Sequence, residues 1–490
     1  MSTATVKRPF GSLAVPNYRR YFIGQVISLS GNWMQIVAEM WLILRLTNSS
    51  FAVGLTAALQ FVPMLFAGAW GGLLADRMNK RRLLMITQTL MALPALTLWL
   101  LAASGVAEPL MVYLLVFTRG AINAIDNPAR QSFVMEMVGR ERVVNAVSLN
   151  SLIVHCARII GPALAGGVIA AIGVAPCFLV NAASFGAMLV ALTLIEPARL
   201  HLSERAGRQR GQLREVLRYV AGTPQLRVPL AAMALVGTFS FNFQVILPLL
   251  ARFAFHGSAT TYAALTSAMA VGSVVGALMA GARGRVSPGL LALAGLGFGF
   301  FTLAAAAAPS LALEVGVLVA TGAASVTFAA GINSTLQLSA PPAVRGRVMA
   351  LYSVVFLGST PIGAPIAGWL SGIAGPRSSL VLAGVAAMVG GVGLWRGLQM
   401  QHAADSLNSA QELLHVGKRV MNGKRRPRGR RHPEPAHQRL RAVMPRSNAN
   451  TIASEDLADV VRMRPLEREG DERSAIARRE RAVDHESRHL

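Results

Sequence analysis

The chain has 490 residues, of which 53% are hydrophobic, and its mean hydropathy is +0.47, more apolar than an ordinary soluble protein. It carries 47 Lys and Arg against 23 Asp and Glu, a formal net charge of +24. The apolar excess is concentrated in residues 1–400, which excludes a soluble globular domain and predicts a membrane protein. Cys156 and Cys177 lie in apolar runs, far from His or acid clusters at ligand spacing, so we expect no disulfide framework, metal site or cofactor.

Apolar runs long enough to cross about 30 Å of hydrocarbon follow one another through residues 1–400. They are numbered here as spans 1 to 12 and lie near residues 21–46, 51–75, 83–104, 109–137, 143–172, 174–195, 228–254, 258–282, 289–308, 311–339, 346–374 and 377–399. The runs predict an all-α membrane protein with twelve transmembrane helices in two sets of six. The predicted domains are a cytoplasmic segment (1–20), a six-helix bundle (21–195), a cytoplasmic linker (196–227), a second six-helix bundle (228–400) and a charged, disordered cytoplasmic tail (401–490).

Basic residues cluster at alternate connections between these spans. They precede span 1 and follow spans 2, 4, 6, 8 and 10, whereas the other connections hold few of them. This is the positive-inside pattern, which predicts that both termini are cytoplasmic. The net charge is therefore assigned to contact with an anionic lipid bilayer, and nucleic acid is not an expected partner.

Span 1 contains polar side chains within an apolar run. Asn32, Gln35 and Glu39 are spaced by three and four residues, so they lie on one helix face. We expect this face to line a central cavity. Glu39 is a candidate to carry a proton; the alternative is a structural pair between its carboxylate and an arginine.

Span 4 is the most polar of the twelve. It contains Arg119, Asn123, Asp126 and Arg130, and ionisable groups inside a membrane indicate function by default. Asn123 is a candidate to line the cavity. Asp126 and Arg130 stand four residues apart, which favours a salt bridge on one helix face, with a role in proton coupling as the alternative.

The second half of the chain repeats polar features of the first. Asn127 and Gln131 correspond to Asn333 and Gln337 at the same spacing, in the same order along the two sets of spans. This predicts two parallel six-helix repeats. Four uncharged polar residues of the second half are candidates for substrate contact, with hydrogen bonding between helices as the alternative: Asn242, Gln244, Asn333 and Gln337. Glu314 lies near the outer end of span 10, where we expect it at the membrane interface.

A short charged hinge between spans 2 and 3 carries the first family resemblance. Its residues, Gly72-x-Leu-Ala-Asp-Arg-x-Asn-Lys-Arg81, resemble the signature loop between helices 2 and 3 of the major facilitator superfamily. The resemblance implies a cytoplasmic gate whose basic residues close a charge relay with an acid on helix 4. Carried over, the gating residues are Gly72, Asp76, Arg77, Lys80 and Glu136. The alternative is a basic loop that only sets topology.

Further stretches narrow this resemblance. Gly161, Pro162, Gly166 and Gly167 of span 5 predict a helix bend with a small-residue surface, and they resemble the helix 5 motif of antiport-type members. Arg119 resembles the helix 4 arginine that the superfamily links to proton transfer. Four short segments resemble the bacterial branch of enterobactin-exporter-like transmembrane secretion effectors. They are Asn-Tyr-Arg-Arg-Tyr-Phe from residue 17, Gly-Asn-Trp-Met-Gln from residue 31, Asn-Pro-Ala-Arg-Gln from residue 127 and Asn-Ala-Val-Ser-Leu-Asn from residue 145.

The resemblance implies a secondary transporter of the bacterial inner membrane, commonly monomeric, that exports a small amphipathic molecule of the drug or siderophore class by proton antiport and alternating access. Glu39 is the leading proton acid, Arg119 and Arg158 are candidate modulators, and Asp126 is the second acid. The alternatives are an uptake symporter and a non-transporting receptor or scaffold. No phosphate-binding loop or constellation of catalytic side chains is present, so neither a primary pump nor an enzyme is expected. With few aromatic residues, the cavity is expected to be lined mainly by Ala, Gly, Leu and Val.

Overall fold

The structure is a computed structural model that describes residues 11–201, 212–282 and 287–423. The chain divides into two compact units, Met1–Asn408 and Ser409–Leu490. Of the second unit, residues 409–423 are described, and they are helical. The prediction of a disordered tail falls mostly on residues 424–490, which lie outside the described residues, and the predicted domain boundaries stay predictions.

The described residues fold almost entirely into α-helices, as the apolar runs predicted. In chain order they are α1 Pro16–Thr47, α2 Ser50–Arg77, α3 Lys80–Ser104, α4 Pro109–Ile172, α5 Ala175–Thr193, α6 Gln212–Gly222, α7 Pro224–Phe239, α8 Phe243–Leu249, α9 Ala259–Ala282, α10 Pro288–Ala307, α11 Leu311–Ser339, α12 Pro342–Gly358, α13 Thr360–Ala374 and α14 Pro376–Gly423. Short 3₁₀ segments at Gly11–Ala14 and Pro197–Arg199 and a π-helical turn at Leu250–Ala254 complete the fold.

Eleven helical stretches of the described chain are long and apolar enough to cross a membrane. The helix α4 contributes two of them, because Gly139 interrupts it with φ 69° and ψ 173°. That conformation suits glycine, which has no side chain to clash. Helix α1 accounts for the difference from the predicted twelve: it is 32 residues long, but its buried polar side chains lower its hydropathy.

The helices of each half of the chain pack mainly against one another. In the first half of the chain, α1 and α2 pack on α4, α1 and α3 pack on α5, and α3 also contacts α4. In the second half, α11 lies between α9 and α10, and α7 contacts α11, α12 and α13. Asn127 and Asn333, the proposed repeat partners, each accept the amide N–H of the glutamine four residues on, at 3.3 and 2.7 Å.

The halves meet along two seams, defined here as the contacts of α2 with α13 and of α4 with α9. Glycines permit close approach in both. A Cβ built on Gly368 of α13 would lie 2.6 Å from the Ser50 carbonyl oxygen and 3.1 Å from Gly54 Cα in α2. In the other seam, a Cβ on Gly166 would clash with Ala263. Small residues are the usual means of bringing membrane helices into such contact.

The closest seam contacts lie at one end of the helices, which we call the seam end: the start of α2 and α9 and the end of α4 and α13. The other end, the basic end, carries Arg20, Lys80 and Arg81. Arg20 donates to the Leu194 carbonyl at 2.6 Å and Arg81 Nε to the Leu192 carbonyl at 2.7 Å. These arginines fix the last turn of α5 beside the starts of α1 and α3.

Glu314 lies in the first turn of α11, and its expected position at the membrane interface stays a prediction. The side chain is 1% exposed, and neither carboxylate oxygen has a hydrogen-bond partner among the described residues. Hydropathy locates the start of a helix but not the neighbours that cover it. Here α14 begins beside α10, where Arg377 donates to the Ala308 carbonyl at 2.8 Å.

Candidate transport site

A cavity of about 470 Å³ lies between the two halves of the chain. Helices α1 and α4 supply its wall on one side, and α8, α9, α11 and α12, with Phe241 of the connection between α7 and α8, supply the other. Its volume is in the range of sites that bind drug-sized molecules. Tyr262, beside the seam residue Ala263, lines it and stacks on Trp41 of α1 at 6.4 Å between ring centroids.

The face of α1 that lines this cavity is not the one expected. Trp33, Ile36 and Val37 line it, whereas Asn32 and Gln35 do not. Polar side chains inside a bundle find partners on neighbouring helices, and here Asn32 and Gln35 bond to side chains of α4 and α5, so their contact with substrate stays a prediction. The apolar and aromatic residues beside them are left to face the cavity.

Glu39 lies at the centre of a buried hydrogen-bond network between α1, α4 and α5. It is 0% exposed. Its Oε2 accepts from Arg119 Nη2 at 2.7 Å and its Oε1 from Gln35 Nε2 at 2.7 Å. Asn32 accepts from Arg119 Nη1 at 3.2 Å, and Gln35 accepts from Asn181 of α5. Both oxygens of the buried carboxylate are thus satisfied, one of them by a charge-assisted bond.

Asp126 holds a second buried network, one to two turns further along α4. Its carboxylate pairs with Arg130 and accepts from Thr87 Oγ1 at 2.6 Å and Gln88 Nε2 at 2.8 Å, both on α3. Arg130 also donates to Gln25 of α1. The i,i+4 salt bridge read from the sequence is present, and it joins three helices rather than lying on an exposed helix face.

The gating residues lie at the basic end. Lys80 Nζ pairs with Glu136 Oε1 at 2.6 Å, with 12% and 5% of their side chains exposed, so the acid on α4 and the base opening α3 are brought together. Arg77 is exposed in the last turn of α2. The Asp76 side chain lies outside the described residues. A Cβ on Gly72 would meet nothing within 4 Å; the close approach of α2 to α4 is at Gly71.

The residues predicted to bend a helix, Gly161 to Gly167, lie within α4. Gly139 is the residue of α4 with non-helical backbone angles, so the backbone at Pro162 is helical. A Cβ on Gly161 would lie 2.7 Å from the Ser30 carbonyl oxygen of α1, and Gly166 belongs to the seam with α9, while Gly167 faces open space. Two of these glycines therefore permit contacts between helices. The bend at Pro162 stays a prediction.

Of the other polar residues predicted to contact substrate, Gln244 and Asn333 line the cavity, and Asn123, Asn242 and Gln337 do not. Asn242 is 1% exposed and donates to the Thr238 carbonyl at 2.6 Å. Gln337 is exposed on α11, one turn beyond the cavity. A role of the last three in substrate contact stays a prediction, because a helix offers several faces and the sequence does not show which one is turned inward.

Sequence reasoning missed the aromatic wall of the cavity. Phe241, Tyr352 and Phe356 line it, with Phe356 edge-on to Phe241 at 5.4 Å and stacked on Tyr352 at 6.0 Å between centroids. The expectation of a mainly aliphatic lining was wrong, because it used the average composition. Phe241 and Phe243 beside the polar pair Asn242 and Gln244, in an otherwise aliphatic span, were the available signal.

Arg158 also faces the cavity, as its one charged residue among the described lining. Its guanidinium carbon lies 4.8 Å from the centroid of the Trp33 ring, a cation–π contact between α4 and α1. Arg158 makes no hydrogen bond or ion pair with the Glu39 network in the described part of the chain, so the two arginines predicted to act on Glu39 are separated: Arg119 binds it, and Arg158 does not.

Comparison with known proteins assigns the family. Residues 7–421 match the transmembrane secretion effector family. The enterobactin exporter EntS of Citrobacter koseri is 28% identical over 387 residues, 77% of this chain and 90% of that protein. The staphyloferrin A transporter of Staphylococcus aureus is 26% identical over 53% of this chain, which spans 65% of that relative's length.

Solved structures agree on the fold. A bacterial homologue of the iron transporter ferroportin, in an inward-facing state, aligns with a TM-score of 0.62 at 13% identity, over 78% of this chain and 98% of that one. The family and its relatives are transporters rather than enzymes, and the cavity between two helix groups agrees with that role. The chain belongs to the transmembrane secretion effector family of the major facilitator superfamily.

Proposed function

We propose that this protein is a secondary active transporter that exports a small amphipathic molecule from the bacterial cytoplasm by alternating access. The observation that carries the proposal is the cavity, since both halves of the chain line it and the seams join those halves at one end. Separation of the seams with closure of the basic end would present the same cavity to the other side. The siderophore transporters among its relatives support a substrate of that size.

The positive-inside pattern supports placing the basic end in the cytoplasm of a bacterial inner membrane, with both termini on that side. The Lys80–Glu136 pair then belongs to the cytoplasmic gate, together with Asp76, Arg77 and Gly72. We treat the protein as a monomer with twelve spanning helices, α1 included, in two six-helix repeats.

Export is driven in this proposal by proton entry. Protonation of Glu39 would remove its charge, weaken the bond from Arg119 and release one contact that ties α1 to α4. Asp126 is the second candidate, although three donors on two helices already bind its carboxylate. Coupling through Glu39 fits better, because its network adjoins the α1 face that lines the cavity.

The test is proton flux in proteoliposomes that hold a pH-sensitive dye, on addition of siderophores and amphipathic drugs. The purified protein should move protons opposite to substrate, and Glu39→Gln should abolish the proton signal. Glu196→Gln is the matched control, because Glu196 is a surface acid paired with Arg20 and Arg199. Transport that is unchanged without a proton gradient contradicts antiport, and coupling retained in Glu39→Gln transfers the role to Asp126.

A further inference from the structure

The cavity has an unbalanced charge. Among the described residues that line it there is one arginine, Arg158, and neither Asp nor Glu. The other cations inside the first bundle are matched: Arg119 pairs with Glu39, Arg130 with Asp126, and Lys80 with Glu136. Among the described residues, Arg158 therefore lacks the carboxylate partner that these three cations have.

The contact that Arg158 makes leaves its charge available. The guanidinium lies over the Trp33 ring, and more than a third of the residue's surface is accessible, on the side of the cavity. No hydrogen bond or ion pair to Arg158 is present in the described chain. A cation at membrane depth faces water or an anion, and the ring face neutralises it only in part, so an anion that enters the cavity would find a counter-charge at Arg158.

A second unsatisfied donor lies in the other half of the chain. Gln244 of α8 lines the cavity, and its buried Nε2 has no hydrogen-bond partner. The hydroxyl donors of the lining differ, since Thr266, Ser273 and Ser325 each donate to a carbonyl of their own helix. Arg158 on the first half and Gln244 on the second are thus N–H donors that have no acceptor among the described residues.

The rest of the lining fits an aromatic or apolar body. Phe241, Tyr352 and Phe356 pack on one another and form a continuous wall on the second half, and Trp33 lies on the first half beneath the arginine. Offset and edge-on packing against such rings favours flat, conjugated molecules.

We propose that the substrate is an amphipathic organic anion, such as an aromatic carboxylate, sulfonate, phosphate or phenolate, whose charged group binds Arg158 while its body packs on the aromatic wall. This inference rests on the proposed export function and specifies its substrate class. Arg158 is a binding residue that meets the substrate's charge. Gln244 supplies the hydrogen bond from the second half, so that one bound anion contacts both halves.

The experiment compares two probes of nearly the same body in nanodiscs of zwitterionic lipid: the anion 1-anilinonaphthalene-8-sulfonate and the neutral N-phenyl-1-naphthylamine. Fluorescence titration should give the anion at least about tenfold tighter binding, the size expected of a charge-assisted hydrogen bond. Arg158→Gln should lose that preference while it binds the neutral probe within about twofold of the wild type. Arg82→Gln, which removes an exposed arginine outside the cavity, should leave both affinities unchanged.

Equal affinity of the wild-type protein for the two probes overturns the proposal, as does an equal loss of both in Arg158→Gln. This wild-type comparison stands even if Arg158→Gln fails to fold, and Arg158→Lys, which keeps the charge, should retain the preference. Anionic lipid in the nanodiscs should not compete; displacement of the probe by lipid alone would identify a lipid headgroup as the occupant and contradict a soluble substrate.

Transport separates this proposal from the export function on which it rests. If proteoliposomes transport cationic or neutral molecules and not anions, the export function stands and the substrate class is wrong. If they transport no molecule while the anion still binds through Arg158, the binding site stands and the export function is wrong.

Discussion

Gly368 offers a direct test of whether the seam between α2 and α13 opens during transport. A Cβ at this position would lie 2.6 Å from the Ser50 carbonyl oxygen, where ordinary contact begins at 3.4 Å, so Gly368→Ala must move the two helices apart by about 3.4 − 2.6 = 0.8 Å. All three crowded atoms of α2, the Ser50 carbonyl oxygen and the Cα and N of Gly54, are backbone and cannot rotate away. The substitution therefore acts on the distance between the two halves and leaves the packing within each half intact.

Overpacking of this kind costs about 1–3 kcal/mol. A state in which the seam is separated does not bear that cost, so the equilibrium between the two states should move towards it by about 5- to 150-fold. Gly368→Ala should consequently open the cavity at the seam end, although the residue touches neither the cavity nor a charged group.

The assay is the rate at which an impermeant thiol reagent, applied from the seam end, modifies a reporter cysteine in the cavity. Ala330→Cys supplies the reporter, in a background without the two native cysteines. Two controls are matched to the clash. Gly372→Ala lies one turn further along α13, where a Cβ would be 3.9 Å from Ser50, and Gly299→Ala places a Cβ 2.7 Å from the Gly384 carbonyl oxygen within the second half.

We expect faster modification in Gly368→Ala alone, a normal rate and stability in Gly372→Ala, and lowered stability with a normal rate in Gly299→Ala. The reasoning is refuted if Gly368→Ala is folded and loses stability as Gly299→Ala does, with no change in the rate from the seam end. That result would make the seam a fixed interface.

Three further outcomes follow from the buried charges. Arg119→Gln should cost about 3–5 kcal/mol of stability by leaving Glu39 charged and unpaired, and Glu39→Gln combined with it should recover much of that loss in thermal unfolding; additive losses would contradict the pairing. Charge reversal at either Lys80 or Glu136 should slow transport, and the double swap should restore part of the rate; a swap as slow as the single variants would argue against a gate closed by this pair. Glu314→Met should raise the unfolding temperature, by about 1–3 kcal/mol of stability, because it removes a buried carboxylate without losing a hydrogen bond; a lowered temperature would show that the attraction between Glu314 and Arg377 outweighs the cost of burying the carboxylate.

The sequence was sufficient to predict the helices, because hydropathy and length act locally along the chain. It failed to place Gly139, where α4 turns without a conventional loop, since an isolated glycine in a polar connection carries no distinctive signal. The pairing of Lys80 with Glu136 could be predicted because a family resemblance supplied the long-range contact. Composition alone holds no such information.

The orientation of helix faces was harder to predict than the helices themselves. Asn32, Gln35 and Glu39 were correctly placed on one face of α1. A polar face inside a bundle can line a cavity or form hydrogen bonds with other helices, and here Arg119 and Asn181 on other helices bind it. Arg158 shows the converse case. It was predicted to act on Glu39, and the neighbour that positions it is the ring of Trp33.

The polar face of α1 also has a consequence for how the protein is made. Its partners are synthesised later: Arg119 follows Glu39 by 80 residues, and Asn181 follows Gln35 by 146. Until they emerge from the ribosome, Glu39 lacks the counter-charge that Arg119 supplies, and a charged group is costly in lipid. The polar face of α1 is therefore completed only after α4 and α5 have been synthesised.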